Sequence, residues 1–187
     1  MIWAWLLLFL SPMGPRQLQT PAVPKAPQLI DLAQTQGVRG INGGSEAVFV
    51  YTFTRQGQRR ETLVVTAGSA FEMEISNSSG RTCMSLSAAM PFNLGDGAVL
   101  KLSIRDEAGG KQILELPLDP AHVRAHRQWL PIRVGAPAGL PLRFLLRLEV
   151  TAGVRGDYTA DWVGVTGGDE PGCLFTSTAG SRKPEVD

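Results

Sequence analysis

The sequence predicts an all-β fold, an antiparallel β-sandwich of eight or nine strands. Three observations carry that prediction. Apolar residues recur with period two through most of the body, the pattern of strands with one buried face. Clusters rich in Gly, Asn and Asp separate these runs at short intervals. Long helical periodicity is missing, and 187 residues include 21 Gly and 13 Pro, a composition suited to short strands and tight turns.

The chain opens with Ile2 to Leu10, an unbroken apolar run of nine residues. At 1.5 Å per residue this run is too short for a bilayer core of about 30 Å. It reads as the apolar part of a secretory signal, although no Lys or Arg precedes it. Residues 1–22 are therefore assigned to a signal peptide or N-terminal apolar segment, with Thr20-Pro21-Ala22 as the small-residue cleavage region. An uncleaved anchor and a misplaced start codon are the alternatives. Residues 23–40 are expected to be a Pro-rich linker, residues 41–175 the sandwich, and residues 176–187 a polar, disordered tail.

Within the body, Ala47 to Thr54 is apolar on both faces and predicts a central strand. Leu63 to Thr66 predicts a short one. Phe71, Met73 and Ile75 alternate with Glu72 and Glu74, which form a solvated face. In Thr82 to Met90 the apolar side is Met84, Leu86, Ala88 and Met90, so Cys83 points off the core. Leu100, Leu102 and Ile104 mark the next strand, and Leu114, Leu116 and Leu118 the one after. Pro120 to Gln128 holds the one helical turn expected in the body. Leu130, Ile132 and Val134 share a face from which Trp129 is excluded. Leu142, Phe144, Leu146, Leu148 and Val150 complete the series as a long amphipathic strand.

The net charge is +1, and without Arg16 and Lys25 the remainder has 16 Lys+Arg against 17 Asp+Glu. Interspersed signs near neutrality exclude an electrostatic footprint for nucleic acid or an anionic membrane. The two cysteines, Cys83 and Cys173, form no Cys-x-x-Cys pair, which excludes a zinc ribbon or a thioredoxin-like site. In an exported protein they would form a disulfide across the C-terminal segment, and two unpaired thiols are the alternative.

The order of three motifs resembles galactose-binding-like domains, the jelly-roll β-sandwiches of many carbohydrate-binding modules. The motifs are Gly95-Asp96-Gly97 leading into Ala98 to Ile104, then Arg127-Gln128-Trp129-Leu130-Pro131-Ile132, and last Asp157-Tyr158-Thr159-Ala160-Asp161-Trp162. Together they cover roughly residues 45–167. The strand after Trp129 departs from the family in ending Val134-Gly135-Ala136-Pro137. The resemblance implies a module without chemistry of its own, and a structural calcium in some members.

Sugar binding needs a flat apolar surface under the C–H face of a pyranose, with fixed polar groups for its hydroxyls. Trp129, Tyr158, Asp157 and Asp161 are the candidates. Trp162 is expected to pack in the core. Calcium needs six to eight oxygens; Asp157 and Asp161 lead the candidates, with Asp106, Glu107, Asp169 and Glu170 behind them. His122 and His126, four apart, lack the third ligand of a zinc site and read as solvated loop residues. No Gly-x-Ser-x-Gly is present. Arg55, Arg59 and Arg60 form a small basic hairpin tip, too few for phosphate. Asn77-Ser78-Ser79 is a glycosylation acceptor in a host that glycosylates. Three functions therefore stand in order: a secreted or periplasmic carbohydrate-binding module, an extracytoplasmic protein-interaction domain on the same sandwich, and a small secreted hydrolase.

Overall fold

The computed structural model describes residues 28–36, 40–41, 47–93, 97–107, 109–135, 139–153 and 162–175. The signal segment over 1–22, the C-terminal tail, and Asp157, Tyr158 and Asp161 lie outside the described residues. The elements in chain order are α1 (Leu29–Gln36), β1 (Gly40–Ile41), β2 (Val48–Arg55), β3 (Gln58–Thr66), β4 (Ser69–Ser76), β5 (Cys83–Ala89), β6 (Ala98–Asp106), β7 (Gly109–Leu118), a 3-10 turn (Arg124–Arg127), β8 (Leu130–Gly135), β9 (Arg143–Ala152) and β10 (Trp162–Gly167).

These strands form two five-stranded sheets, ordered β1-β4-β9-β6-β7 and β2-β3-β10-β5-β8. Every described pairing between them is antiparallel. The fold is thus an antiparallel β-sandwich, with nine strands of six residues or more and the two-residue β1 at an edge. From β4 onward every connection except the β6–β7 hairpin crosses to the other sheet. The period-two faces meet in one core. Met73, Ile75, Leu100, Leu102, Phe144, Leu146, Leu148 and Val150 come from the first sheet, and Leu63, Val65, Met84, Leu86, Ile132, Val163 and Val165 from the second.

Two expectations are corrected. Ala47 to Thr54 is not a central strand: β2 is the edge of the second sheet. Its second apolar face carries Phe49, Tyr51 and Phe53, which lie on the outside of the sandwich. The linker expected over 23–40 contains α1, whose Leu29, Ile30 and Ala33 are buried. The helix also guards a sheet edge. Gln36 donates from Nε2 to the Glu74 carbonyl at 2.7 Å, and its Oε1 accepts the Glu74 N–H at 2.8 Å. A side-chain amide thus stands in for a strand beside β4, where an open edge would invite pairing with another chain.

The C-terminal segment is tied to β5. Cys83 and Cys173 form a disulfide with Cα atoms 4.8 Å apart. Next to it, Leu174 donates its N–H to the Cys83 carbonyl at 2.8 Å and accepts from the Ser85 N–H at 2.9 Å. Leu174 and Phe175 thereby enter the core fully buried. Asn77, read as a glycosylation acceptor, is 0% exposed. Its Nδ2 donates to the Arg81 carbonyl at 2.8 Å, and its Oδ1 accepts the Arg81 N–H at 2.8 Å. The folded protein offers no access to that amide, so the sequon is a turn-forming device.

Candidate functional site

The outer face of the second sheet sets the geometry. The β2–β3 ladder runs to Arg55↔Gln58, but the β3–β10 ladder ends at Val165↔Leu63. Among the described residues, no strand lies beside the free end of the β2–β3 hairpin, which folds across β10 and β5. Phe53 lies on Gly164 of β10, where a Cβ would run into its ring. The glycine is required by this close approach. Ala89, 0% exposed, completes the small-residue floor.

Trp129 belongs to this hairpin contact. Strand parity takes it off the main core, as the sequence implies, but the ring is covered rather than open. It is 8% exposed, in a cluster with Phe53 and Ala89. It stacks on Phe53 with centroids 4.9 Å apart and an interplanar angle of 23°. Its Nε1 donates to the Gln58 carbonyl at 3.2 Å. The Arg60 guanidinium sits 5.3 Å from the ring centroid. Arg60 also donates to Ser87 Oγ at 3.2 Å and to Asp169 Oδ2 at 2.9 Å. These contacts with Phe53, Gln58 and Arg60 pin the hairpin tip.

Beyond the pin, the same face carries an open strip of aromatic rings. Phe49 and Tyr51 come from β2, Trp162 opens β10, and Phe92 follows β5. Phe49 meets Tyr51 edge-on with centroids 6.5 Å apart, and meets Trp162 at 5.2 Å and 83°. Trp162 meets Phe92 at 5.9 Å. Tyr51 is 49% exposed and Phe92 44%. Trp162, expected in the core, is half-buried on the outer face. Its neighbours Val163 and Val165 take the core side. Asp161 and Tyr158 precede it in the chain, outside the described residues.

The sequence reading missed Phe49, Tyr51 and Phe92. The signal for the first two was present. Aromatics at alternate positions of β2, opposite Val48 and Val50, mark a second, outward face. Phe92 had no such signal, because Arg55 positions it. Arg55 is buried, donating from Nε and Nη2 to the Met90 carbonyl and from Nη1 to Asn93 Oδ1 at 2.7 Å. The loop that carries Phe92 is thus stapled to β2. Burial draws the Arg55 pKa below its ordinary value, yet a guanidinium remains charged at any physiological pH.

Several of the remaining chemistry candidates are committed to neighbours. Asp169 pairs with Arg60, and Glu170 with Arg133 at 2.7 Å. His122 Nδ1 lies 3.0 Å from Asp119 Oδ1. His126 Nδ1 accepts the Asp119 N–H at 2.9 Å, a structural role in place of the solvated one expected. Desolvation pushes the Asp119 carboxyl up, but hydrogen bonds and charge from His122 outweigh it and hold the group below its ordinary value. Glu72 and Glu149 both accept from Arg147, at 3.2 Å and 3.0 Å. Among the described residues, no three of His, Cys, Asp and Glu converge on a point that could hold a metal ion. No helix among them is long and apolar enough to cross a membrane.

No family model matches this chain, and no curated protein matches it in sequence. Solved structures do resemble it. A family 61 carbohydrate-binding module in complex with β-1,4-galactotriose is 14% identical, with a TM-score of 0.48 over 72% of this chain and 90% of that one. A family 6 carbohydrate-binding module is 12% identical, with a TM-score of 0.39 over 68% and 88%. The tandem family 51 modules of a family 98 glycoside hydrolase from Streptococcus pneumoniae are 10% identical, with a TM-score of 0.41 over 70% and 44%. Identities this low carry no residue from those proteins to this one.

Proposed function

We propose that this chain is an exported, non-catalytic module that binds carbohydrate on the aromatic strip of its second sheet. The observation that carries the reading is the linked row Tyr51, Phe49, Trp162 and Phe92, whose outer members are each nearly half exposed. Soluble proteins rarely leave a contiguous apolar surface of this kind unpartnered. Ring faces suit the C–H face of a pyranose, and Tyr51 adds a hydroxyl at the rim. The rings are held by β2, by β10 and by the Arg55 staple, so little ordering accompanies binding. The carboxylates and histidines described above are tied to neighbours instead of converging on an open point, which favours binding over hydrolysis. The disulfide and the N-terminal apolar run support export.

The test is a glycan-array and polysaccharide screen of the chain and its Tyr51→Ala variant. A specific glycan should bind, and the variant should bind it at least about tenfold less tightly, with stability changed by about 1 kcal/mol or less at so exposed a position. A folded chain that binds no glycan refutes the reading. The same strip then becomes a docking surface for a protein, the other function that an exposed apolar patch serves.

A further inference from the structure

The edges of the two sheets are not guarded alike. β1 has only two residues, and Gln36 occupies that side of β4 at Glu74. β7 carries Pro117, the charges of Lys111 and Glu115, and a register shift in its pairing with β6. β8 carries Pro131. Prolines, charges and bulges all discourage pairing with another chain. β2 has none of them from Val48 to Thr54. Val, Phe, Tyr and Thr fill that stretch, residue types that favour strands, and it pairs with β3 without a register break.

The phase of the β2–β3 ladder shows which backbone groups face outward. Thr66 donates its N–H to the Ala47 carbonyl at 3.0 Å, one step before the Val48↔Val65 pair. Bonded and non-bonded pairs alternate along an antiparallel ladder. Phe49, Tyr51, Phe53 and Arg55 therefore turn their N–H and C=O groups to β3. Val48, Val50, Thr52 and Thr54 turn theirs to the open edge, where no strand lies among the described residues.

We propose that β2 is a dimerisation edge, pairing antiparallel with β2 of a second copy of this chain. A twofold axis at Tyr51 sets Val48 of each copy opposite Thr54 of the other, and Val50 opposite Thr52. In that register every outward N–H and C=O of both strands is bonded. No like charges meet, because Arg55, the one ionic residue of β2, falls opposite Ala47 and is held at Met90 and Asn93. Tyr51, 49% exposed, meets its own copy at the closer, non-bonded kind of pair, which takes both rings out of water. This self-matching register, free of charge repulsion, selects a second copy as the occupant. With the other edges guarded, assembly closes at two. The axis is perpendicular to the joined sheets, so both aromatic strips lie on one face. For the glycan reading the platform is thereby doubled, but the dimer does not depend on that reading.

The test is sedimentation equilibrium of the whole chain, without glycan, from about 1 to about 500 µM, because an edge pairing buries less than the roughly 1,600 Å² of a standard interface and should dissociate in that range. A monomer–dimer equilibrium with no larger species is expected. Tyr51 lies opposite itself, so Tyr51→Lys and Tyr51→Glu should each weaken the dimer at least about tenfold, and an equimolar mixture of the two should dimerise more tightly than either alone. Thr52→Pro removes only an outward N–H; it should weaken the dimer as much while keeping the far-UV circular dichroism of the parent. The proposal is overturned if the chain stays monomeric at about 500 µM, which would leave the edge to a strand of another protein. It is equally overturned if larger species form in place of a dimer, or if mixing the Lys and Glu variants gains nothing. Glycan binding by a strictly monomeric chain sinks this proposal and leaves the aromatic strip standing. A dimer that binds no glycan does the reverse.

Discussion

Replacing Trp129 by Ala should unpin the β2–β3 hairpin, and the cost follows from the contacts of the ring. At 8% exposure the side chain is almost wholly withdrawn from water. A buried Trp hides about 150–250 Å², which at about 25 cal/mol per Å² corresponds to roughly 4–6 kcal/mol. Stacking on Phe53 adds about 0.5–1.5 kcal/mol, and the Arg60 contact about 0.5–1 kcal/mol. Against this, the hairpin tip has no strand beside it among the described residues and can detach locally, which limits the loss. The net expectation is about 3 kcal/mol, at the low end for deletion of a large aromatic. For a domain of this size that lowers the melting temperature by about 10 °C. Urea and thermal melts followed by far-UV circular dichroism measure it directly. Trp129→Phe should recover most of the loss, because the ring stack survives and only the Gln58 hydrogen bond goes. A Trp129→Ala protein within about 1 kcal/mol of the parent that has lost glycan binding would refute this reasoning. The indole would then be a ligand platform after all.

Other outcomes follow from the same structure. Gly164→Ala should destabilise by about 1–3 kcal/mol, because its Cβ meets the Phe53 ring over a packed strand; a neutral result in urea would show that the hairpin does not lie on β10. Cys83→Ser with Cys173→Ser should cost about 4–5 kcal/mol in the chain-entropy model for so long a loop. That variant should also release Leu174 and Phe175 to limited proteolysis, and a protected segment would contradict the anchoring role. Asp119 has a depressed folded pKa, so its contribution is present above the unfolded value of about 3.9 and is lost as pH falls through the lower folded value. The stability difference between the parent and Asp119→Asn should therefore be visible near neutral pH and shrink in acid below about pH 4. A difference that grew as the pH fell below about 4 would reverse the sign of the argument.

Particular residues show where sequence reading succeeded and where it ended. Met73 and Ile75, Leu100 and Leu102, and Leu146 and Leu148 alternate cleanly, and each pair lies in the shared core. Cys83 was placed off the core side by parity, and there it meets Cys173. Trp129 was excluded from the face of Leu130 and Ile132 by the same rule, correctly. Parity said nothing about what would cover it, and the cover comes from a hairpin some 70 positions away. The β2 aromatics were read as a sign of a central strand, because an apolar face covered by a neighbouring layer and one left open to solvent look alike in sequence.

What the sequence by itself determined is the strand content, the inward face of most strands and hence a two-sheet fold. These depend on period-two alternation and on turn residues, both of which act over a few neighbouring positions. The tertiary structure alone decided which strands became edges and that the hairpin tip folds over Gly164. It also joined Phe49, Phe92 and Trp162 into one strip. Those are contacts between residues far apart in the chain. They are set by strand order and by the burial of particular rings and charges, and no local pattern encodes them.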